Sequence, residues 1–196
     1  MRLAIIDSGG ANIASLKFAI ERLGVESTLT TDPEVVRAAS HVILPGVGAA
    51  ADCMARLQSA GLIETIRSLT QPLLGICVGM QLLFESSQEG ETPCLGLLPG
   101  AVRRLPNRAG LPVPHMGWNQ LEYCQSSPLF KDVAPGDHVY FVHSYAAPVS
   151  ELTLATSCYG QPFSAVVQRE TVYGMQFHPE RSARVGSLLL RNFLEL

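Results

Sequence analysis

The sequence predicts an α/β fold built on an open, doubly wound sheet, and two observations lead there. The first half of the chain alternates strand-like and helix-like segments, the rhythm of β–α–β units with parallel strands. An apolar run over residues 72–76 then ends in Gly75-Ile76-Cys77-Val78-Gly79 and passes into a helix-like stretch over residues 79–85. That is a strand–turn–helix with a cysteine at its apex. Open parallel sheets collect their sites at the carboxyl ends of strands. Both Cys77 and the segment Pro45-Gly46-Val47-Gly48 fall at such ends.

In chain order, residues 3–7 read as an apolar strand, and 12–23 as an amphipathic helix ending at Gly24. Residues 25–30 are β-prone, and 33–39 form a short helix with Asp32 as its N-cap. A strand over 41–44 leads into Pro45-Gly46-Val47-Gly48. Residues 49–69 are helical with an interruption near Gly61, and 73–76 are the strand before the cysteine. The second half is richer in β signals, with short strands over 101–105, 119–123, 138–142, 152–157, 164–168 and 172–176. A closing helix over 183–194 follows Ser182 as N-cap, and residues 89–93 and 106–110 read as exposed loops. No linker, repeat or low-complexity segment divides the chain, so one domain over 1–196 is expected.

Composition narrows the function. With 47% hydrophobic and 16% charged residues, 196 residues are enough to bury a substantial core. A net charge of −3 with no basic run argues against nucleic acid or an anionic membrane as partner. No apolar stretch approaches transmembrane length, and Met1 to Asp7 is too short and too soon charged for a signal peptide. The five cysteines are odd in number, scattered and without a Cys-x-x-Cys, so neither a disulfide framework nor a zinc site is expected. A reducing cytoplasm fits. No cofactor or metal is called for.

Gly-x-Cys-x-Gly is the pattern of a nucleophile elbow with cysteine in place of serine. The turn is tight, so a side chain at Gly75 or Gly79 would collide with neighbouring backbone. Cys77 would sit at a helix N-terminus, where the partial positive charge favours thiolate. The N–H of Val78 would face a developing oxyanion. Far downstream, His178-Pro179-Glu180 supplies a base and its orienter. In an extended segment residues two apart project to one side, and Pro179 biases His178 toward extended conformations. Cys77, His178 and Glu180 together make a triad for acyl transfer through a thioester.

Cys53, Cys94, Cys124 and Cys158 lack such a setting and read as inert thiols. His115 and His143 are rival bases. Neither has a carboxylate two residues away, so both read as positioning or interface residues. Gly9-Gly10 lacks the Gly-x-Gly-x-x-Gly pattern and reads as a tight strand–helix turn. Trp118, the only tryptophan, suits core and interface equally.

Gly75 to Gln81 and His178-Pro179-Glu180 together resemble the class I, or triad, glutamine amidotransferases. Leu44 to Gly48, Pro114-His115-Met116-Gly117-Trp118-Asn119, Tyr140 to Tyr145 and Gly174 to Phe177 resemble one branch of that family, the glutaminase subunits of imidazole glycerol phosphate synthases. The resemblance implies a flavodoxin-like open twisted mixed sheet flanked by helices. It implies glutamine hydrolysis through a thioester on Cys77, with ammonia channelled to a partner (β/α)8-barrel cyclase subunit in histidine biosynthesis. By the same likeness, Val47 and Val78 would donate the oxyanion hole. Gly48, Gln81, His143, Ser144 and Tyr145 would bind substrate, and Asn12, Trp118, Asn119 and Arg181 would face the partner or its tunnel. In this family the Gly46–Val47 peptide is thought to reorient when the partner is occupied. Three residues depart from the family pattern: Val78 where leucine is common, Ser8 where an aromatic residue is frequent, and Arg181 in place of lysine. Two other readings of the residues stay open. One is a free-standing cysteine hydrolase, active without a partner. The other is an oxidant-sensing binding protein, in which Gln81 and Glu180 would have no task.

Overall fold

A computed structural model of the protein describes residues 2–9 and 13–196. The first half contributes β1 (Leu3–Ile6), α1 (Ile13–Arg22), β2 (Ser27–Thr30), α2 (Pro33–Ala38), β3 (His41–Gly46), α3 (Ala50–Ser59), α4 (Ile63–Arg67), β4 (Leu73–Cys77) and α5 (Val78–Leu82). Then come β5 (Phe84–Ser87), β6 (Thr92–Pro93), β7 (Leu98–Arg104), β8 (His115–Gln120), β9 (Glu122–Tyr123), β10 (His138–His143) and β11 (Tyr145–Ala146). The chain closes with β12 (Thr153–Cys158), β13 (Pro162–Arg169), β14 (Val172–Met175) and α6 (Ala183–Leu194).

Eight strands form one mixed sheet in the order β2-β1-β3-β4-β14-β13-β12-β9. The run from β2 to β14 is parallel, and the run from β14 to β9 is antiparallel. Strands β3 and β4 lie in the interior of the sheet. Every residue of β4 is buried, as is every residue of β3 after His41, which accounts for their unbroken Val/Ile/Leu character. Helices flank the sheet and bury one face each. On α1, Ile13, Leu16, Ala19 and Ile20 face the core at helical spacing. On α2, the Asp32 carboxylate accepts the Glu34 N–H at 2.8 Å, the cap that the sequence signals. A four-stranded sheet, β11-β7-β5-β6, and the ribbon β8–β10 stand beside the main sheet.

Four local readings need correction. The helix expected over 79–85 stops at Leu82, and Phe84–Ser87 turn into β5. The carbonyls of Leu82, Leu83 and Phe84 accept from the N–H groups of Leu95, Leu98 and Gly96, so long-range pairing takes the acceptors a further helical turn would need. The strand expected over 119–123 is two strands in different sheets, because fully buried Leu121 makes a corner between β8 and β9. Residues 89–93 are only partly the solvated loop expected: Gly90, Glu91 and Pro93 are exposed, but Thr92 is buried and Glu89 reaches back to the N–H of Ala50 at 2.8 Å. Ser182 precedes α6 but gives it no side-chain cap. Its hydroxyl donates to the His178 carbonyl at 2.7 Å and accepts the Tyr140 N–H at 2.9 Å.

Candidate active site

Cys77 ends β4 in a conformation that L-residues rarely adopt, φ 55° and ψ −113°. Holding it there costs on the order of 1–3 kcal/mol, and such strain persists only where the surroundings enforce it. Here the enforcement comes from close backbone contact. A Cβ on Gly79 would overlap the Leu44 carbonyl oxygen, and one on Gly75 would come within 2.7 Å of the Gly79 oxygen. One on Gly46 would meet the Gly79 nitrogen at 2.6 Å. The collisions expected at Gly75 and Gly79 are real, and Gly46 joins them because β3 pairs with β4 at Gly46 and Cys77. Since α5 is only five residues long, its dipole is weaker than the sequence suggested. The electrostatic help to a thiolate comes from the first few N–H groups rather than from a long helix.

His178 reaches Cys77 from the far side of the cleft. It is extended (φ −96°, ψ 96°), but Pro179–Arg181 form a 3₁₀ turn. Glu180 therefore returns to its neighbour by a turn, not along the extended segment that the sequence implied. Its Oε1 lies 2.8 Å from His178 Nδ1, with the Glu180 side chain only 2% exposed. Burial is the largest single influence on the imidazole and pushes its pKa down. Hydrogen bonds and charge attraction from Cys77 and Glu180 together outweigh it and hold the imidazole up at about 10. Cys77 Sγ lies 3.8 Å from the Val142 carbonyl oxygen.

Cys77 and His178 border a cavity of about 310 Å³, which also takes in Val47, Gly48, Val78, Gln81, His143, Ser144 and Tyr145; Glu180 stands behind His178, outside its lining. All the residues proposed from sequence for oxyanion and substrate contacts therefore converge. Gln81 is fixed in orientation. Its Nε2 donates to the Tyr145 carbonyl at 2.8 Å and to Gln176 Oε1 at 3.0 Å. Both donors are thereby used, and only its oxygen is left for a ligand. Glu89 was missed by sequence reasoning. It is the one carboxylate lining this cavity among the described residues, and a lone acidic residue after a strand gave no signal. A larger open groove of about 630 Å³ between α3, α4 and residues 90–94 holds no nucleophile–base set.

His143 lines the cavity with both ring nitrogens already engaged. Its Nδ1 is 2.9 Å from the Tyr145 carbonyl oxygen, so Nδ1 carries the proton. Its Nε2 is 2.9 Å from Nδ1 of His115, which must then be the donor. His115 Nε2 is left as acceptor, 3.4 Å from Asn119 Nδ2. One directed chain thus runs from Asn119 to Tyr145 with both rings neutral. Burial pushes His143 down to about 3 and His115 down to about 4. Neither is a rival general base near neutral pH. Because both folded values lie below the ordinary 6.5, the unfolded chain binds more protons between these limits. Stability from this pair is complete above pH 6.5 and is lost as pH falls toward 4, at about 1.4 kcal/mol per pH unit for each ring. Imidazole ¹⁵N shifts at pH 5.5 should show two neutral tautomers, Nδ1–H on both rings. A protonated ring there would contradict the assignment.

Of the residues expected at a partner surface, Trp118 and Arg181 meet at the Tyr140 ring. Trp118 is 52% exposed and packs edge-on against Tyr140. It is not core. The Arg181 guanidinium sits 5.0 Å over the same Tyr140 ring. Asn119 Nδ2 is bound to the Cys158 carbonyl at 2.8 Å. Asn12 lies outside the described residues. Ser8 is fully buried, and its hydroxyl donates to the Pro45 carbonyl at 2.6 Å. No helix among the described residues is long and apolar enough to cross a membrane.

The sequence model of the family described as glutamine amidotransferase class-I matches residues 4–196. The imidazole glycerol phosphate synthase subunit HisH of Xylella fastidiosa strain Temecula1 is 54% identical over 194 residues, 99% of this chain and 97% of that protein. The protein of the same name from Haemophilus influenzae strain Rd is 50% identical over 195 residues, 100% of this chain and 98% of its own length. Among solved structures, a glutamine amidotransferase superposes with a TM-score of 0.75 at 22% identity, over 98% of this chain and 97% of that one. A glutamine amidotransferase of Thermotoga maritima superposes with a TM-score of 0.65 at 19% identity, over 100% and 83% of the two chains. At such identities these structures speak for the fold alone.

Proposed function

The chain belongs to the class-I glutamine amidotransferases, in the group of imidazole glycerol phosphate synthase HisH subunits, and on that premise we propose how its residues divide the work. The observation that carries the reading is Cys77 held at a strained strand end, hydrogen-bonded to an imidazole that Glu180 orients, inside a cavity of amino-acid size. His178 takes the thiol proton of Cys77, and Sγ attacks the side-chain carbonyl carbon of glutamine. The oxyanion that forms takes hydrogen bonds from the N–H groups of Val78 and Val47. His178 gives its proton to the departing nitrogen, which leaves as ammonia, and a γ-glutamyl thioester remains on Cys77. His178 then takes a proton from water, the resulting hydroxide attacks the thioester, and glutamate leaves as the thiol is restored. Glu180 holds the Nδ1–H throughout, which orients the ring so that its other nitrogen carries the proton transfers.

Substrate contacts follow from the lining. The Gln81 oxygen and the Glu89 carboxylate suit the α-ammonium of glutamine, and the backbone around Ser144 and Tyr145 with Gly48 suits its carboxylate and stem. His143 shapes the wall and holds the Tyr145 carbonyl, since neither of its nitrogens is free for substrate. The whole of 1–196 acts as one domain in the cytoplasm. It would form a heterodimer with a (β/α)8-barrel cyclase, which consumes the ammonia to make imidazole glycerol phosphate and an aminoimidazole carboxamide ribotide. Trp118, Tyr140 and Arg181 mark the surface we assign to that partner and to the ammonia path, with Asn119 behind them.

Glutamate release from glutamine tests this, measured for the purified chain alone and then with the cyclase subunit and its nucleotide ligand. A low rate alone and a rise of 100-fold or more in the complex is the expected result, because one lost oxyanion donor costs about 100- to 1000-fold. Full activity alone points instead to a free-standing hydrolase. No activity in either state leaves the sensor reading.

A further inference from the structure

The segment that carries the Val47 N–H is fastened on both sides by side chains with no other assigned task. Ser8, at the end of β1, donates its hydroxyl to the Pro45 carbonyl at 2.6 Å. Ser8 is itself held, since its own carbonyl accepts from Arg56 Nη1 at 3.0 Å. Cys53, on the first turn of α3, donates its thiol to the Val47 carbonyl at 3.4 Å. Cys53 is fully buried, and burial is the main effect that raises its pKa, so the donor proton stays on sulfur. The amino end of α3 is tied in turn, because the Ala50 N–H bonds Glu89 Oε2 at 2.8 Å.

The two carbonyls belong to the peptide units 45–46 and 47–48. Between them lies the 46–47 unit, whose N–H is that of Val47. Fixing both neighbours leaves one motion for the middle peptide, a rotation about its own long axis. The bounds on it are clear. Gly46 is wedged against the elbow, where a Cβ would meet the Gly79 nitrogen at 2.6 Å, while Gly48 has a φ of +85° and open space around its α-carbon. One anchor is a short O–H···O bond and the other a weak S–H···O bond, so the Val47 side yields first.

We propose that Ser8 and Cys53 are positioning residues that clamp the peptides flanking Gly46–Val47, so that this peptide can move only by turning about its long axis, the turn that brings the Val47 N–H to the oxyanion. This rests on the oxyanion reading given above. Neither residue touches substrate, since neither lines the cavity. The first anchor is made by the Ser8 hydroxyl alone.

The test compares Cys53→Ala, Cys53→Ser and Ser8→Ala with the parent in the full complex. It reads kcat and KM for glutamine, and the rate at which iodoacetamide alkylates Cys77, followed by mass spectrometry of its peptide. Alkylation displaces iodide and builds no oxyanion, so it reports the triad but not the hole. The expected result is a five- to tenfold fall in kcat for both alanine variants, with KM and the alkylation rate within twofold. Cys53→Ser, which keeps a donor, should stay within threefold of the parent. Unchanged kcat in both alanine variants overturns the clamp. So does a loss of kcat matched by slower alkylation, which marks general damage. Cys77→Ala separates the two readings. If it still hydrolyses glutamine, the oxyanion reading and the clamp fall together. If it is inactive while the clamp variants behave as parent, the clamp alone falls.

Discussion

Replacing Cys77 by alanine should lower glutamine hydrolysis by about 10⁴-fold or more, while synthesis driven by added ammonia in the complex continues near the parent rate. Removing a nucleophile removes the covalent route, and what survives is the modest contribution of binding and of the oxyanion donors. The side chain is small and buried beside His178, so alanine leaves the backbone turn in place and the partner's active site untouched. His178→Ala should come close to the same loss. Glu180→Gln should cost up to about 10⁴-fold, because the amide can turn its NH₂ toward Nδ1 and hold the wrong tautomer, and it no longer balances the imidazolium. A double variant lacking both Cys77 and His178 should be no worse than either alone, since the two act as a unit. Loss of ammonia-driven synthesis in a folded Cys77→Ala complex would sink the division of labour, because hydrolysis and ammonia use would then share a residue.

The elbow is legible in the sequence because its constraints act over five residues. Backbone crowding demands glycine two before and two after Cys77, and each demand leaves its mark at a fixed spacing. The parallel core is legible for a similar reason, since β3 and β4 are buried on both faces and so read as unbroken apolar runs. The failures share one cause. Phe84 and Glu85 looked helical, but the carbonyls of residues 82–84 are taken by the N–H groups of residues 95, 96 and 98, a pairing that no local pattern encodes. Glu89 looked solvated because its partner, the Ala50 N–H, lies 39 residues away in sequence. Ser8 read as a departure from the family pattern and Cys53 as an inert thiol. Their acceptors, the carbonyls of Pro45 and Val47, are main-chain atoms that any sequence would supply. Even the His178–Glu180 pair, found from its spacing, is closed by a 3₁₀ turn rather than by an extended strand. Residue types revealed the chemistry, but contacts to backbone stayed hidden until the fold brought them together.

The second large effect is structural and falls on Gly79. Gly79→Ala should destabilise the protein by about 4 kcal/mol or more, the range kept for changes that force a clash into a core with no room to relax. A methyl there would overlap the Leu44 carbonyl oxygen and press on the Pro45 carbonyl carbon at 3.1 Å. Both are main-chain atoms of the interior strand β3, which cannot swing aside as a flexible side chain would. Gly61→Ala is the matched control. Gly61 also needs a positive φ, +66°, but has nothing within 4 Å of the added carbon. It should therefore cost only the backbone term, about 1–2 kcal/mol. Urea midpoints separate the two variants. Failure of Gly79→Ala to accumulate as soluble protein, while Gly61→Ala purifies, would show the same difference. A Gly79→Ala stability within about 1 kcal/mol of Gly61→Ala would mean that β3 and the elbow are not locked together. The consequence reaches the chemistry, because the strand that Gly79 touches runs directly into Gly46 and Val47. Any relaxation that makes room for the methyl must move that strand away from Cys77 and carry the Val47 N–H with it. A Gly79→Ala protein rescued by osmolyte should thus fold without recovering glutaminase activity, whereas Gly61→Ala should lose stability alone.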